Sequence, residues 1–158
     1  MTADCLPVLL TDRRGQLAAV AHAGWRGLCA GVLRSLVQQL PVAAGDLSAF
    51  IGPAISAARY EVGEDVITAL KRADLAGETI VERGQRAGKF QVDLVQAARQ
   101  QLQELGVADV AGGHWCTVTQ RCFYSHRRYT QWLAQTKTTG APEHTGRQAC
   151  VIWLPTLR

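Results

Sequence analysis

Cys5 and His22 are the residues of this chain whose types and spacing suit joint chemistry, because a thiol and an imidazole supply either two metal ligands or a nucleophile and its base. Cys5 opens an apolar run that reaches Leu10, and Leu17 to His22 is a second such run, with Thr11-Asp12-Arg13-Arg14-Gly15 between them. The pattern predicts a β-hairpin. Asp in the first and Gly in the fourth position of Asp12-Arg13-Arg14-Gly15 suit a type I turn. A turn centred between Arg13 and Arg14 sets Cys5 directly opposite His22. Directly opposed residues have Cβ atoms about 4.5 to 5.5 Å apart, which lets both side chains converge on one ion. A bulge at Gly15 would leave the pair diagonal. Taken alone, the pair reads as packing: a buried Cys is a small hydrophobe, and a strand-end His is often only hydrogen-bonded.

The segment after His22 changes that reading. In His22-Ala23-Gly24-Trp25-Arg26-Gly27 a strand ends, glycines let the backbone bend closely, and a helix begins with an Arg in its first turn. Free backbone N–H groups, the helix dipole and Arg26 suit that spot to phosphate or another oxyanion. Packing alone does not call for a ligand pair beside an anion cradle.

The elements that must position these groups are set by periodicity. Leu28, Val32, Leu33, Leu36, Val37 and Leu40 recur at helical spacing, which predicts one helix from Trp25 to Leu40, stopped by Pro41. Leu47 to Ile51 reads as a strand. Val62, Val66, Ile67 and Leu70 mark a second helix, and Val92, Val95, Ala98, Leu102 and Leu105, stopped by Gly106, a third. Val81 and Val107 to Val110 are weaker strand signals and Cys150 to Leu154 a strong one. Asp93 reads as a carboxylate at a helix N-terminus. Thr136 to Gly146 lacks periodicity and reads as a flexible loop. Interleaved strands and helices predict an α/β or α+β class with mixed strand directions.

The chain has 158 residues, 47% of them apolar, so one domain with a sizeable core is expected. The net charge of +4 is scattered, which favours small anions over a nucleic-acid groove. No apolar stretch approaches the roughly 20 residues that span a bilayer, and no signal-peptide layout is visible, so a soluble, cytoplasmic protein without nucleic-acid or membrane partners is expected. Five cysteines, none spaced as CxxC, predict free thiols and exclude a zinc ribbon.

Seven segments carry a resemblance: Thr2-Ala3-Asp4-Cys5-Leu6-Pro7-Val8, His22-Ala23-Gly24-Trp25-Arg26-Gly27, Ile51-Gly52-Pro53-Ala54-Ile55, Tyr60-Glu61-Val62-Gly63, Cys116-Thr117, Phe123-Tyr124-Ser125-His126-Arg127-Arg128 and Thr145-Gly146-Arg147. Together, spread over nearly the whole chain, they resemble the YfiH family, also called the polyphenol oxidase or laccase-domain family. The resemblance implies an α+β fold, a layered α/β sandwich with a mixed β-sheet, in one domain over residues 1–158 that lacks its N-terminal portion. It implies a purine nucleoside phosphorylase with adenosine deaminase activity, acting on purine nucleoside and phosphate with a zinc ion held by one Cys and two His. Cys5 and His22 fall on two of those ligands. The remaining family His lies upstream of the Thr-Ala-Asp-Cys motif, which leaves His114, His126 and His144 as substitutes and predicts a weakened or empty zinc site. Near Tyr129 the chain departs from the family, where an acidic residue is common, and the loop before Thr145 is longer.

A zinc ion with an open coordination position lowers the pKa of a water or polarises a phosphate oxygen. On this reading Cys5, His22 and Arg26 are the catalytic set. Gly24, Trp25, Gly27, Tyr124, His126, Arg127 and Arg128 contact substrate or phosphate, with phosphate directed at the anomeric carbon for phosphorolysis and water at C6 of adenine for deamination. Three competitors stand beside it. One is a cysteine hydrolase with a Cys5/His22 dyad. Another is a copper-dependent polyphenol oxidase, which needs about ten clustered His ligands where this chain has four isolated ones. The last is a catalytically inert domain. Trp25, Trp115, Trp132 and Trp153 could stack on a purine, although core packing is the expected role for most of them.

Overall fold

The computed structural model describes residues 1–138, 141–142 and 144–154. Its hairpin joins β1 (Leu6–Asp12) to β2 (Ala18–Ala23), as the two apolar runs predict. Gly15 N–H donates to the Asp12 carbonyl at 3.1 Å, closing the expected turn. The register differs from a turn centred on Arg13 and Arg14: Pro7, not Cys5, stands opposite His22. The Asp12 carboxylate explains the shift, because its Oδ1 accepts the N–H groups of Gln16 at 2.7 Å and Leu17 at 2.8 Å and so keeps both residues in the turn.

A second antiparallel partner of β1 is β3 (Leu47–Ile51), whose far side pairs in parallel with β7 (Asp109–Gly112). The resulting mixed sheet runs in the order β2-β1-β3-β7. Along β3, buried Leu47, Ala49 and Ile51 alternate with more exposed neighbours, the period-two burial of a half-covered strand, whereas central β1 is buried on both faces, with Leu6, Val8 and Leu10 on one and Pro7 and Leu9 on the other. A smaller antiparallel sheet sets β6 (Phe90–Val92) between β4 (Glu61–Val62) and β5 (Val81–Arg83).

Where one helix is predicted from Trp25 to Leu40, two form: α1 (Trp25–Cys29) and α2 (Val32–Gln39). Gly31 separates them with φ of 76°, a left-handed conformation that no helix interior accepts. The apolar spacing survives the break, since Leu28, Leu33 and Val37 all enter the core. The next helix, α3 (Glu64–Arg72), starts after Val62, which belongs to β4. Likewise Val92 belongs to β6, and α4 (Leu94–Glu104) begins after Asp93, whose side chain accepts the Gln96 N–H at 2.9 Å as an N-cap.

Helix α5 (His126–Thr136) has no apolar stripe to announce it, and none of its residues is buried. The predicted strand from Cys150 to Leu154 does not form: these residues join no sheet, and Val151 and Trp153 are 70% and 77% exposed. An apolar run becomes a strand only where a neighbour offers its backbone, and here the nearest pairing is a single bridge between Thr2 and Gln148. Trp115, Trp132 and Trp153 are exposed, against the core role expected of most tryptophans, while Trp25 packs against the core. All five cysteines are free, as their spacing predicts. No helix among the described residues is long and apolar enough to cross a membrane.

Candidate active site

A cleft of about 840 Å³ opens where the N-terminal segment, the end of β2, α1 and the start of α5 meet. Cys5, His22, Gly24, Trp25, Arg26, Gly27, His126 and Arg127 all line it. The two ligand candidates are diagonal across the hairpin: continuing the register one residue past Leu6 and Ala23 sets Cys5 against Gly24, with His22 two residues along on the same face. A Cβ on Gly24 would stand 2.8 Å from Cys5 Sγ, so the glycine keeps the space in front of the thiol open. His126 and His144 line the same cleft. A thiol and imidazoles facing one cavity are the donor types of a zinc site. Among the described residues no three His, Cys, Asp or Glu are gathered tightly enough to form a complete cage.

The electrostatics of the wall are mixed. Burial, followed by the negative charge of Asp4, pushes the Cys5 thiol up from its ordinary value. Tyr60, a further lining residue, is also pushed up, first by burial and then by Cys5, with Arg127 and Arg26 opposing. Two arginines stack on aromatic faces here: Arg26 lies 4.3 Å from the Trp25 ring centroid and Arg127 lies 5.5 Å from that of Tyr60. Such stacking fixes a guanidinium without consuming its N–H donors. Arg127 does direct Nη1 to the Glu61 carbonyl at 3.0 Å, which ties α5 to the segment bearing Tyr60.

Two residues that sequence reasoning placed at the site stand elsewhere. Arg128 donates to the carbonyls of Thr117 at 2.7 Å, Val118 at 3.0 Å and Phe123, so its guanidinium clasps the loop before α5 and lines no part of the main cleft. Tyr124 is 52% exposed, lies outside that lining, and packs beneath Gly146. His114 packs its ring tilted against Trp115 and is not among the residues that line the cleft.

Sequence reasoning assigned no role to Asp4 or Tyr60. Asp4 is buried beside Cys5. Its Oδ1 accepts the Thr117 hydroxyl and its Oδ2 the Arg127 N–H, each at 2.6 Å. The available signal was an acid placed at the entry of an otherwise apolar strand. Cys116 shows a different device: burial raises its thiol, but hydrogen bonds from Ser56 and Thr119 outweigh it and bring the value down to about 7.

Comparison with known proteins agrees with this fold. Purine nucleoside phosphorylase PA4543 of Pseudomonas aeruginosa is 40% identical over 155 residues, covering 98% of this chain and 59% of that protein. Purine nucleoside phosphorylase YfiH of Escherichia coli is 42% identical over 156 residues, covering 98% and 58%. Adenosine deaminase RL5, from an unknown prokaryotic organism, is 34% identical over 133 residues, covering 80% and 51%. The crystal structure of Neisseria meningitidis protein NMB0706 superposes with a TM-score of 0.76 at 48% identity, over 81% of this chain and 53% of that one. The chain therefore spans little more than half the length of the relatives it matches. The family described as multi-copper polyphenol oxidoreductase laccase matches residues 1–155, and the chain belongs to that family.

Proposed function

We propose that this cleft binds a purine nucleoside and phosphate beside a zinc ion held by Cys5 and His22, and that it carries out nucleoside phosphorolysis with adenosine deamination as a second activity. The observation that carries the reading is the convergence of a thiol, an imidazole and two stacked arginines on one cavity of about 840 Å³, a volume in the usual range of small-molecule sites. The relatives' names, two purine nucleoside phosphorylases and an adenosine deaminase, support the same chemistry.

Bound zinc would supply an electrophile that polarises an oxygen and lowers the pKa of water. The chain's own residues divide the remaining work. Arg26, held over the Trp25 ring, offers its donors to phosphate. The open backbone at Gly24 and Gly27 allows close approach, and Trp25 and Tyr60 provide apolar walls for the base and ribose. His126 and His144 are the candidates for a third ligand, since a catalytic zinc takes three protein donors.

The hydrolase alternative makes Cys5 the nucleophile and His22 its base, and inactivation of metal-free protein by iodoacetamide would favour it. The copper alternative follows the family's description, but four His residues fall well short of a multicopper cluster. The test is a calorimetric zinc titration with an inosine phosphorolysis assay. One ion per chain and phosphate-dependent release of hypoxanthine are expected, both lost in Cys5→Ser. Full activity in metal-free protein, or activity that requires copper, overturns the reading.

A further inference from the structure

Asp4 is a buried carboxylate with φ of 87°, a left-handed backbone uncommon for a residue with a side chain. A charge removed from water and a strained backbone persist only where the surroundings hold them. Here both carboxylate oxygens are engaged at 2.6 Å, one by the hydroxyl of fully buried Thr117 and the other by the Arg127 N–H. The Asp4 carbonyl accepts the Ile55 N–H at 2.9 Å, and the Thr117 N–H donates to the Ala54 carbonyl at 3.0 Å, so both partners rest on the same segment. Helix α5 already has its own cap, because Ser125 Oγ accepts the Arg128 N–H at 3.1 Å. The Asp4 contact is therefore an additional, long-range tie on the first turn that carries His126 and Arg127.

We infer that Asp4 is a positioning residue: it fixes the Cys5 thiol and the first turn of α5 in one relation across the cleft, so that metal affinity depends on a carboxylate that touches no metal. This rests on the reading of Cys5 as a ligand. Groups hydrogen-bonded directly to metal ligands typically contribute about 10- to 100-fold in affinity, and Asp4, which acts on the chain beside Cys5 and His126, is expected at the lower end of that range.

The test is a cobalt(II) titration followed by thiolate-to-cobalt absorption, with thermal unfolding measured on every variant. Asp4→Ala removes both bonds and is expected to weaken cobalt binding by about tenfold or more and to alter the band. Asp4→Asn tolerates the left-handed backbone, and its amide can accept from Arg127 while donating to Thr117, so it is expected to restore affinity towards that of the wild type. Thr117→Val removes one bond without touching the strained position, and a smaller weakening is expected. That variant decides the matter if Asp4→Ala does not fold. Wild-type affinity and band in folded Asp4→Ala, or in Thr117→Val where Asp4→Ala fails to fold, overturn the inference and leave the ligand reading standing. A wild-type protein with no thiolate-to-cobalt band, matching Cys5→Ser, overturns both.

Discussion

Gly24 faces Cys5 so closely that a Cβ there would meet Sγ at 2.8 Å. The Gly24 backbone itself, at φ −75° and ψ 170°, is extended and open to any residue. Gly24→Ala therefore probes the contact and not the conformation. Forced overpacking of this kind costs about 1–3 kcal/mol, and the thiol is the group free to move. Zinc uptake should fall sharply while the unfolding temperature drops by only a few degrees. Unchanged zinc affinity in a folded Gly24→Ala protein would show that the thiol does not face the ion.

Arg26 and Arg128 carry opposite expectations. The Arg26 guanidinium rests on Trp25, and among the described residues it makes no ion pair or side-chain hydrogen bond, which leaves its donors facing the cleft. Hydrogen bonds to charged groups contribute about 1.5–3 kcal/mol, so Arg26→Ala should raise the KM for phosphate by about tenfold to a hundredfold. Its unfolding temperature should stay near that of the wild type. Steady-state kinetics with phosphate varied at saturating inosine would reveal a wrong assignment as an unchanged KM.

For Arg128 the expectation reverses. Its guanidinium satisfies the carbonyls of Thr117, Val118 and Phe123, and truncation leaves those acceptors without their donor. Arg128→Ala should destabilise the fold by about 2 kcal/mol, read from urea unfolding, with any change in kinetics following from the lost structure. A variant as stable as the wild type but impaired in phosphate binding would restore Arg128 to the substrate set.

The fold was legible wherever burial imposes a period. The β1 and β3 strands and the apolar faces of α2, α3 and α4 follow from spacing, because each buries small and branched apolar residues in the core. Helix α5 was not legible, because it buries no residue and is held by Ser125, Asp4 and the carbonyls that Arg127 and Arg128 reach. Long-range polar ties leave no periodic trace. The site shows the same division. Cys5, His22 and Arg26 could be singled out by residue type and do line one cleft, whereas Asp4 and Tyr60 stand out only through neighbours brought from Thr117, Arg127 and Arg26, distant in the chain. The hairpin register failed for a local reason of the same kind, since one Asp12 oxygen holds two N–H groups of the turn.

That carboxylate also makes the hairpin sensitive to acid. Burial alone would raise the Asp12 carboxyl, but the N–H groups of Leu17, Gln16 and Arg14 outweigh it and hold its value below the ordinary range. A group whose folded value is depressed contributes stability above its unfolded value, near about 3.9 for Asp. That contribution is lost as pH falls through the lower folded value. Asp12→Asn should therefore lower the unfolding temperature at pH 7, because the amide presents a weaker acceptor to the same N–H groups. Wild type and variant should converge as pH falls from 4 towards 2 in a thermal unfolding series. A stability gap that persists undiminished at pH 2 would mean that Asp12 acts through its shape and not through its charge.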